Sequence, residues 1–251
     1  FIKGKGIYHG SIIRILANDV IISNFTVENT ASATNYSYCI HVGSDIWKIL
    51  NTITIRDCNI CNSSDSVGIL VYHYGAIWNL KIINNYLSHS RGISCTENPS
   101  NIENNSIITG NIITDSYCGI FDSGFNGTIS GNEITNCSGK GIYLHGSENK
   151  ISGNRISNCS IGIQFGGSGN IINGNDIDHC PISIQYGGKQ NNITKNNFKN
   201  YTRIGIWFAR WFGDQFKTLS KSRWAGNYWD TWNGIGPKII PGFIVFEWAF
   251  S

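Results

Sequence analysis

Cysteine has the most chemical options in this sequence, because a thiol can form a disulfide, bind a soft metal ion or fill a core. The chain has eight cysteines among 251 residues, and an even count is typical of oxidised extracellular proteins. Cys137, Cys159 and Cys180 recur at a nearly constant interval. We expect these three to be buried thiols, since three stacked cysteines leave one over. Elsewhere we expect at least one disulfide among four others: Cys39, Cys58, Cys61 and Cys95.

A metal site needs several ligands at a characteristic spacing. Cys58 and Cys61 form a single CxxC, with no second CxxC and no HxxxH beside it, which is weak evidence for zinc. The six histidines are dispersed and methionine is absent, whereas Cu(I) carriers use soft thioether ligands. We therefore predict no metal site and no cofactor.

Carboxylates would serve a polysaccharide-cleaving enzyme, which needs clustered Asp or Glu for acid–base work. Asp176 and Asp178 come nearest to a pair and share a strand face, but the preceding repeat places Arg155 beside them. Asp115 and Asp122 lie in one repeat without Asp-x-Asp spacing. A solvated charged face is therefore the favoured interpretation. The sequence predicts no catalytic residue and favours a non-enzymatic protein.

Asn-x-Ser/Thr sequons are numerous, and this motif marks exposed sites in secreted chains. We expect N-linked glycans on an extracellular or cell-surface protein. The candidate sites are Asn24, Asn35, Asn62, Asn104, Asn126, Asn136, Asn158, Asn192 and Asn200.

These residues are positioned by a repeat. Residues 126–188 contain three copies of the frame I-x-G-N-x-I-x-x-C-x-x-G-I, and such a period indicates stacked structural units. Apolar residues alternate within each copy, which predicts short strands, and Gly, Asn and Ser between them predict turns. A unit this short leaves no room for a crossover helix. It suits one coil of a parallel β-helix, in which successive coils are roughly 4.8 Å apart.

Stacked coils place like residues on like residues. The asparagines of the frame are then expected to form a ladder, because each side-chain amide can both donate and accept. The predicted ladder residues are Asn85, Asn111, Asn132, Asn154, Asn175 and Asn197.

The predicted fold is all-β, a right-handed parallel β-helix of about eight coils. Residues 1–208 form the coils, irregular over 1–100 and regular over 101–208. Residues 209–251 form an aromatic-rich C-terminal cap in the same domain, since a solenoid needs its exposed end covered. Six of the eight tryptophans lie after residue 206, and a sugar-stacking surface is the alternative interpretation of this segment. Residues proposed to mediate assembly are Phe243, Val245, Phe246, Trp248 and Phe250.

The repeat resembles the coils of the NosD-like family of parallel β-helix proteins, and the segment GNYWDTWNGIGPKIIPG resembles the C-terminal segment of its archaeal members. The resemblance implies the fold. It also raises a role in copper-site maturation, for which this chain lacks methionine and clustered histidines.

Charged residues make up 14% of the chain and the net charge is +3, too little to indicate a nucleic-acid partner. No apolar run reaches transmembrane length. The predicted function is a secreted, glycosylated structural protein that associates with itself end to end into a filament or surface layer. The alternatives are a glycan-binding or polysaccharide-processing protein and a NosD-like copper-insertion accessory protein.

Overall fold

The computed structural model describes residues 2–4, 10–29, 37–43, 49–62, 66–73, 76–97, 105–201, 203–206 and 223–229. Within these ranges the regular elements are all strands. In chain order they are β1 (Ile2–Gly4), β2 (Gly10–Ile15), β3 (Val20–Ser23), β4 (Thr26–Asn29), β5 (Ser37–Val42), β6 (Leu50–Arg56), β7 (Asn59–Asn62), β8 (Val67–His73), β9 (Ile77–Ile83), β10 (Tyr86–Ser88), β11 (Ile93–Glu97), β12 (Ile107–Thr109), β13 (Ile112–Thr114), β14 (Ile120–Asp122), β15 (Thr128–Ser130), β16 (Glu133–Thr135), β17 (Lys140–Leu144), β18 (Lys150–Ser152), β19 (Arg155–Ser157), β20 (Ile161–Phe165), β21 (Ile171–Asn173), β22 (Asp176–Asp178), β23 (Ile182–Tyr186), β24 (Asn192–Thr194), β25 (Asn197–Lys199), β26 (Arg203–Ile206), β27 (Arg223–Ala225) and β28 (Tyr228–Trp229).

Every third strand joins the same sheet, and neighbouring strands within each sheet are parallel. Sheet A contains β1, β4 and each third strand through β28; sheet B runs likewise from β2 to β26, and sheet C from β3 to β27. The chain therefore winds through three faces in turn. The prediction of an all-β parallel solenoid is confirmed.

The core consists of columns of stacked apolar side chains. In sheet A, Ile113 lies beside Ile134, Ile134 beside Ile156, and Ile156 beside Ile177, and all four are fully buried. The outward neighbours of these isoleucines are exposed or half-buried, which gives each three-residue strand one inward position. Like residues recur in each coil because each must fill the same slot.

An asparagine ladder runs along the corner between sheets C and A. Asn111, Asn132, Asn154 and Asn175 each donate from Nδ2 to the Oδ1 of the next rung at 2.9–3.0 Å. The backbone N–H of each rung donates to the same Oδ1. Asn85 joins at the upper end, with Nδ2 3.0 Å from Asn111 Oδ1. These side chains are buried, so each coil is fastened to the next from within.

The placement of Asn197 in this ladder is wrong. The rung after Asn175 is Asn196, which continues to Asn227 at 3.0 Å. Asn197 is exposed, begins β25 and pairs with Asp176. The two asparagines are adjacent, and Lys195 replaces the usual glycine before the rung, so the frame is ambiguous by one position in sequence.

The predicted boundary at residue 208 does not end the coils. Strands β27 and β28 pair with β24 and β25, and Asn227 supplies a further ladder rung. Gly226, with a φ of 63°, and Asn227 repeat the Gly-Asn turn of the regular coils. The rest of the predicted cap and the five proposed assembly residues lie outside the described residues.

A second asparagine ladder lies at the corner between sheets B and C. The N–H groups of Gly127, Asn149 and Asn170 donate to the Oδ1 atoms of Asn149, Asn170 and Asn191 at 2.7–2.9 Å. The constant spacing of these asparagines is visible in the sequence. Sequence reasoning missed this second ladder because its asparagines lie near the start of each repeat, where the alternation of apolar residues is weakest.

The third corner, between sheets A and B, encloses small side chains. Buried serines lie there in the upper coils, among them Ser90 and Ser116, whose hydroxyls are 3.4 Å apart. Cys137, Cys159 and Cys180 continue this series in the lower coils and are buried. They are thiols, as expected. Hydrogen bonding with Cys137 raises the pKa of Cys159 to about 12, helped by burial and opposed by a hydrogen bond with Cys180.

The disulfide expected among the four earlier cysteines is not formed, since all eight cysteines of the structure are thiols. Cys58 lies at the corner between sheets C and A, Cys61 in sheet A, and both Cys39 and Cys95 in sheet B. The two in sheet B are separated by β8, where Cys95 stands beside Val71. The repeat frame thus places the four on different columns.

Candidate functional site

A groove opens at the corner between sheets A and B, where three consecutive coils turn. It has a volume of about 410 Å³. We call it the corner groove. Its lining residues are Ser90, Arg91, Asp115, Ser116, Tyr117, Asn136 and Ser138.

Tyr117 projects from this corner because its backbone is fixed on both sides. Its N–H donates to Ser90 O at 2.8 Å, and its carbonyl oxygen accepts from Gly139 N at 2.8 Å. A Cβ at Gly139 would lie 2.7 Å from that carbonyl oxygen, so glycine allows the close approach. The side chain of Tyr117 is nevertheless 62% exposed. The groove thus presents an aromatic ring on a rigid support.

Polar groups surround the ring. The guanidinium of Arg91 lies 5.9 Å from the centre of the Tyr117 ring, a cation–π distance. Asp115 accepts from Thr114 Oγ1 at 2.9 Å and from Asn136 Nδ2 at 3.2 Å. These bonds hold the carboxylate at a corner where its φ is 51°. The groove therefore offers a cation, a carboxylate, an amide and hydroxyls around one aromatic side chain.

A second group of side chains lies on the outer face of sheet B, one strand away from Tyr117. We call Phe121, Lys140, Tyr143 and His145 the aromatic cluster. Phe121 and Tyr143 are paired across β14 and β17, with ring centres 5.1 Å apart. Lys140 Nζ lies 3.5 Å from the centre of the Tyr143 ring, and His145 Nε2 is hydrogen-bonded to the Tyr143 hydroxyl. Phe121 follows Tyr117 by four residues in the same coil, so the cluster and the corner groove are neighbours along the chain.

The titration of this cluster follows from its packing. Partial burial lowers the pKa of Lys140, opposed by the nearby Cys118. Burial, and then the charge of Lys140, lower the pKa of His145, which favours a neutral imidazole near pH 7. Burial raises the pKa of the Cys118 thiol to about 11. That thiol is protonated at neutral pH and is a poor nucleophile.

The predicted carboxylate pair lies on another face. Asp176 pairs with Lys199 at 2.7 Å, and Asp178 contacts His179 and Asn200 at 2.8 Å. Both belong to β22 of sheet A, where they form surface ion pairs and hydrogen bonds. Their placement agrees with a charged outer face and lies away from the corner groove.

Asp122 is the carboxylate that sequence reasoning undervalued. It occupies the inward column of sheet B between Cys95 and Leu144 and is fully buried. Oδ1 accepts from Gly124 N at 3.0 Å, whereas Oδ2 has no partner within hydrogen-bonding geometry. Burial raises the pKa of Asp122 to about 6. It faces the core rather than the groove.

The sequons lie mainly at corners. Five of the asparagines are exposed and have positive φ: Asn24, Asn126, Asn136, Asn158 and Asn200. Asn192 is half-buried in β24, with Oδ1 enclosed. Asn62 ends β7, and its side chain lies outside the described residues, as do Asn35 and Asn104. Glycosylation of all nine stays a prediction.

Among the residues that the structure describes, no three His, Cys, Asp or Glu side chains are grouped as a metal site would require. The same residues include no helix long and apolar enough to cross a membrane.

Sequence reasoning missed Arg91 and Tyr117. Each follows the buried serine of its coil, at the position that Ser138, Ser160 and Pro181 fill in the regular coils. The available signal was that the residue at this position differs from coil to coil.

A comparison with known protein families agrees with this fold. A family model described as the right-handed β-helix region matches residues 91–228, more than half of the chain. No curated protein matches the sequence. Among solved structures, a mutant tailspike protein of the E. coli bacteriophage HK620, in complex with a pentasaccharide, is similar with a TM-score of 0.47 and 11% identity. The alignment covers 91% of this chain and 57% of the tailspike chain. By the family match and its three parallel sheets, this chain belongs to the right-handed β-helix family.

Proposed function

We propose that this protein binds an oligosaccharide or polysaccharide in the corner groove. The observation that carries the proposal is the ring of Tyr117, which is exposed on a fixed backbone and surrounded by polar side chains. A sugar ring has an apolar C–H face, which packs on an aromatic ring, and a rim of hydroxyls, which bond to amide, carboxylate and guanidinium groups.

The size of the groove supports the same ligand class. Small-molecule sites have volumes of about 300–1,000 Å³, and the corner groove lies within that range. Phe121 of the aromatic cluster follows Tyr117 by four residues in the same coil, a span of at most roughly 14 Å. An extended ligand such as a saccharide chain matches this shape better than a compact metabolite does.

The test is a binding screen of the wild-type protein against a glycan panel, followed by titration calorimetry. Tyr117→Ala should weaken binding by about tenfold or more, since truncating an aromatic anchor costs at least about 1.4 kcal/mol. Tyr117→Phe, which keeps the ring, should stay within about threefold of wild type, roughly 0.6 kcal/mol.

Tyr228→Ala is the matched control, because Tyr228 is also an exposed tyrosine, on sheet A. It should bind like wild type. Absence of any glycan ligand, or equal losses in Tyr117→Ala and Tyr228→Ala, would refute the proposal.

Secretion, N-glycosylation and end-to-end assembly stay predictions. The five assembly residues lie outside the described residues, so the filament has no support from the contacts of this structure. Negative-stain electron microscopy and the intact mass of native material test all three together. The NosD-like relationship and the copper-insertion alternative also stay predictions, which a Cu(I)-binding titration tests.

A further inference from the structure

We infer that the saccharide bound at this surface is anionic, carrying carboxylate or sulfate groups; the inference rests on the proposed function. It comes from two cations that lie over tyrosine rings instead of pairing with acids. Arg91 lies over Tyr117, and Lys140 lies over Tyr143.

Neither cation forms an ion pair with a carboxylate of the described residues. The ion pairs found there join Arg56 to Asp57 and Lys199 to Asp176, and a third contact joins Asp178 to the imidazole of His179. In sheet A the charge of Lys199 is neutralised by Asp176. The charges of Arg91 and Lys140 are not paired in this way and can interact with a bound anion. Lys140 is also partly desolvated where it lies on the Tyr143 ring, which strengthens its attraction to an incoming anion.

The carboxylates near Arg91 and Lys140 do not neutralise the positive charge of this surface. Asp115 lies in the groove and brings one negative charge, but Asn136 and Thr114 already donate to its oxygens. Among the strands of sheet B, acids occur at Asp122, which is buried, and at Glu97, whose side chain lies outside the described residues. Two cations against one exposed carboxylate leave the described part of the surface net positive.

The geometry also suits repeated charges. Arg91 and Lys140 are two coils apart, about 10 Å along the solenoid axis at the spacing of neighbouring strands. An arginine binds carboxylate or sulfate through two parallel N–H groups, and charge-assisted hydrogen bonds are about twice as strong as neutral ones. A saccharide with an acid on successive or alternate rings would reach both cations.

The test compares a uronic-acid polymer with its carboxyl-reduced form, and dextran sulfate with dextran, on the intact chain. We expect the charged member of one or both pairs to bind at least tenfold tighter, with an affinity that falls as salt rises. The pair that shows the difference identifies the group as carboxylate or sulfate.

Arg91→Gln and Lys140→Gln should each weaken binding of the charged polymer about fivefold to tenfold and weaken binding of its neutral counterpart less, so that the ratio of charged to neutral affinity falls. Lys150→Gln, an exposed lysine on sheet C, should change nothing. Thermal unfolding of all three variants checks that they fold.

Equal binding of charged and neutral polymers, or an equal loss in Lys150→Gln, would overturn the inference while leaving glycan binding in place. Failure of every saccharide to bind would instead remove the proposed function and this inference with it.

Discussion

Replacing Asn196 tests whether the buried ladder, and not the exposed asparagine beside it, fastens the lower coils. The buried Asn196 side chain takes part in four hydrogen bonds. Nδ2 donates to Ile172 O at 2.9 Å and to Asn227 Oδ1 at 3.0 Å. Oδ1 accepts from the N–H and from the Nδ2 of Asn175, both at 2.9 Å. Alanine would remove all four bonds and leave the Asn175 N–H without this acceptor.

The expected loss follows from these contacts. A hydrogen bond contributes about 1 kcal/mol net, and a buried polar group without a partner costs about 1–3 kcal/mol. Since the lost bonds share donors and acceptors, we expect Asn196→Ala to lower the free energy of unfolding by about 3–5 kcal/mol. Asn197→Ala removes an exposed side chain from the next position and should change it by less than about 0.5 kcal/mol.

Urea denaturation followed by far-UV circular dichroism measures both variants against wild type. Because solenoid stability is distributed over neighbouring coils, the lower coils can unfold before the rest of the chain. Native-state hydrogen exchange at the backbone N–H of Asn175 is therefore measured in parallel. That amide should lose protection in Asn196→Ala and keep it in Asn197→Ala. Equal effects of the two substitutions, or a larger one from Asn197→Ala, would refute the ladder assignment.

Three further predictions concern the core. Because burial raises the pKa of Asp122 to about 6 from 3.8, its contribution to stability is present below about pH 4 and is lost as the pH rises through 6. Asp122→Asn should therefore reduce the loss of unfolding free energy between pH 4 and 7 by up to about 3 kcal/mol, and an unchanged pH profile would contradict this. Cys159 is buried and its pKa is raised to about 12, so it should resist iodoacetamide at pH 8 in the native protein and react in urea. Mass spectrometry maps the labelled cysteines. Equal labelling of Cys159 in both states would count against a buried column of thiols. Gly119→Ala should lower the free energy of unfolding by about 1–3 kcal/mol, since its Cβ would lie 2.4 Å from the Gly141 carbonyl oxygen. Gly166→Ala, with nothing within 4 Å, is its matched control, and equal melting temperatures would contradict the packing argument.

The solenoid was predictable because its determinants are local and repeated. A frame of nearly constant length fixes which residue stacks on which, so the isoleucine columns and the first five ladder rungs follow from counting. Counting fails where two adjacent residues satisfy the frame, as at Asn196 and Asn197. It also fails across an insertion: residues 207–222 separate β26 from β27, and the Gly226–Asn227 turn that resumes the coils was assigned to a cap.

The corner groove was not predictable in the same way. Arg91, Tyr117 and Ser138 are far apart in sequence, and only the stacking of three coils brings them to one corner. Their residue types are ordinary, and the chemistry arises from what surrounds them. Asp122 shows the same limit, because its full burial beside Leu144 depends on register rather than on any local motif.

A solenoid separates structural from functional positions more clearly than most folds do. Positions that must stack repeat from coil to coil, so a residue that departs from the repeat at an exposed corner is not required for stacking. The position of Arg91 and Tyr117 is exposed in each of these coils and is filled by Ser138, Ser160 and Pro181 in the lower ones. The position before it is buried and always holds a small side chain, serine in the upper coils and cysteine in the lower ones. The large changes in side chain are thus on the outside of a fixed backbone, which is the arrangement that ligand recognition uses.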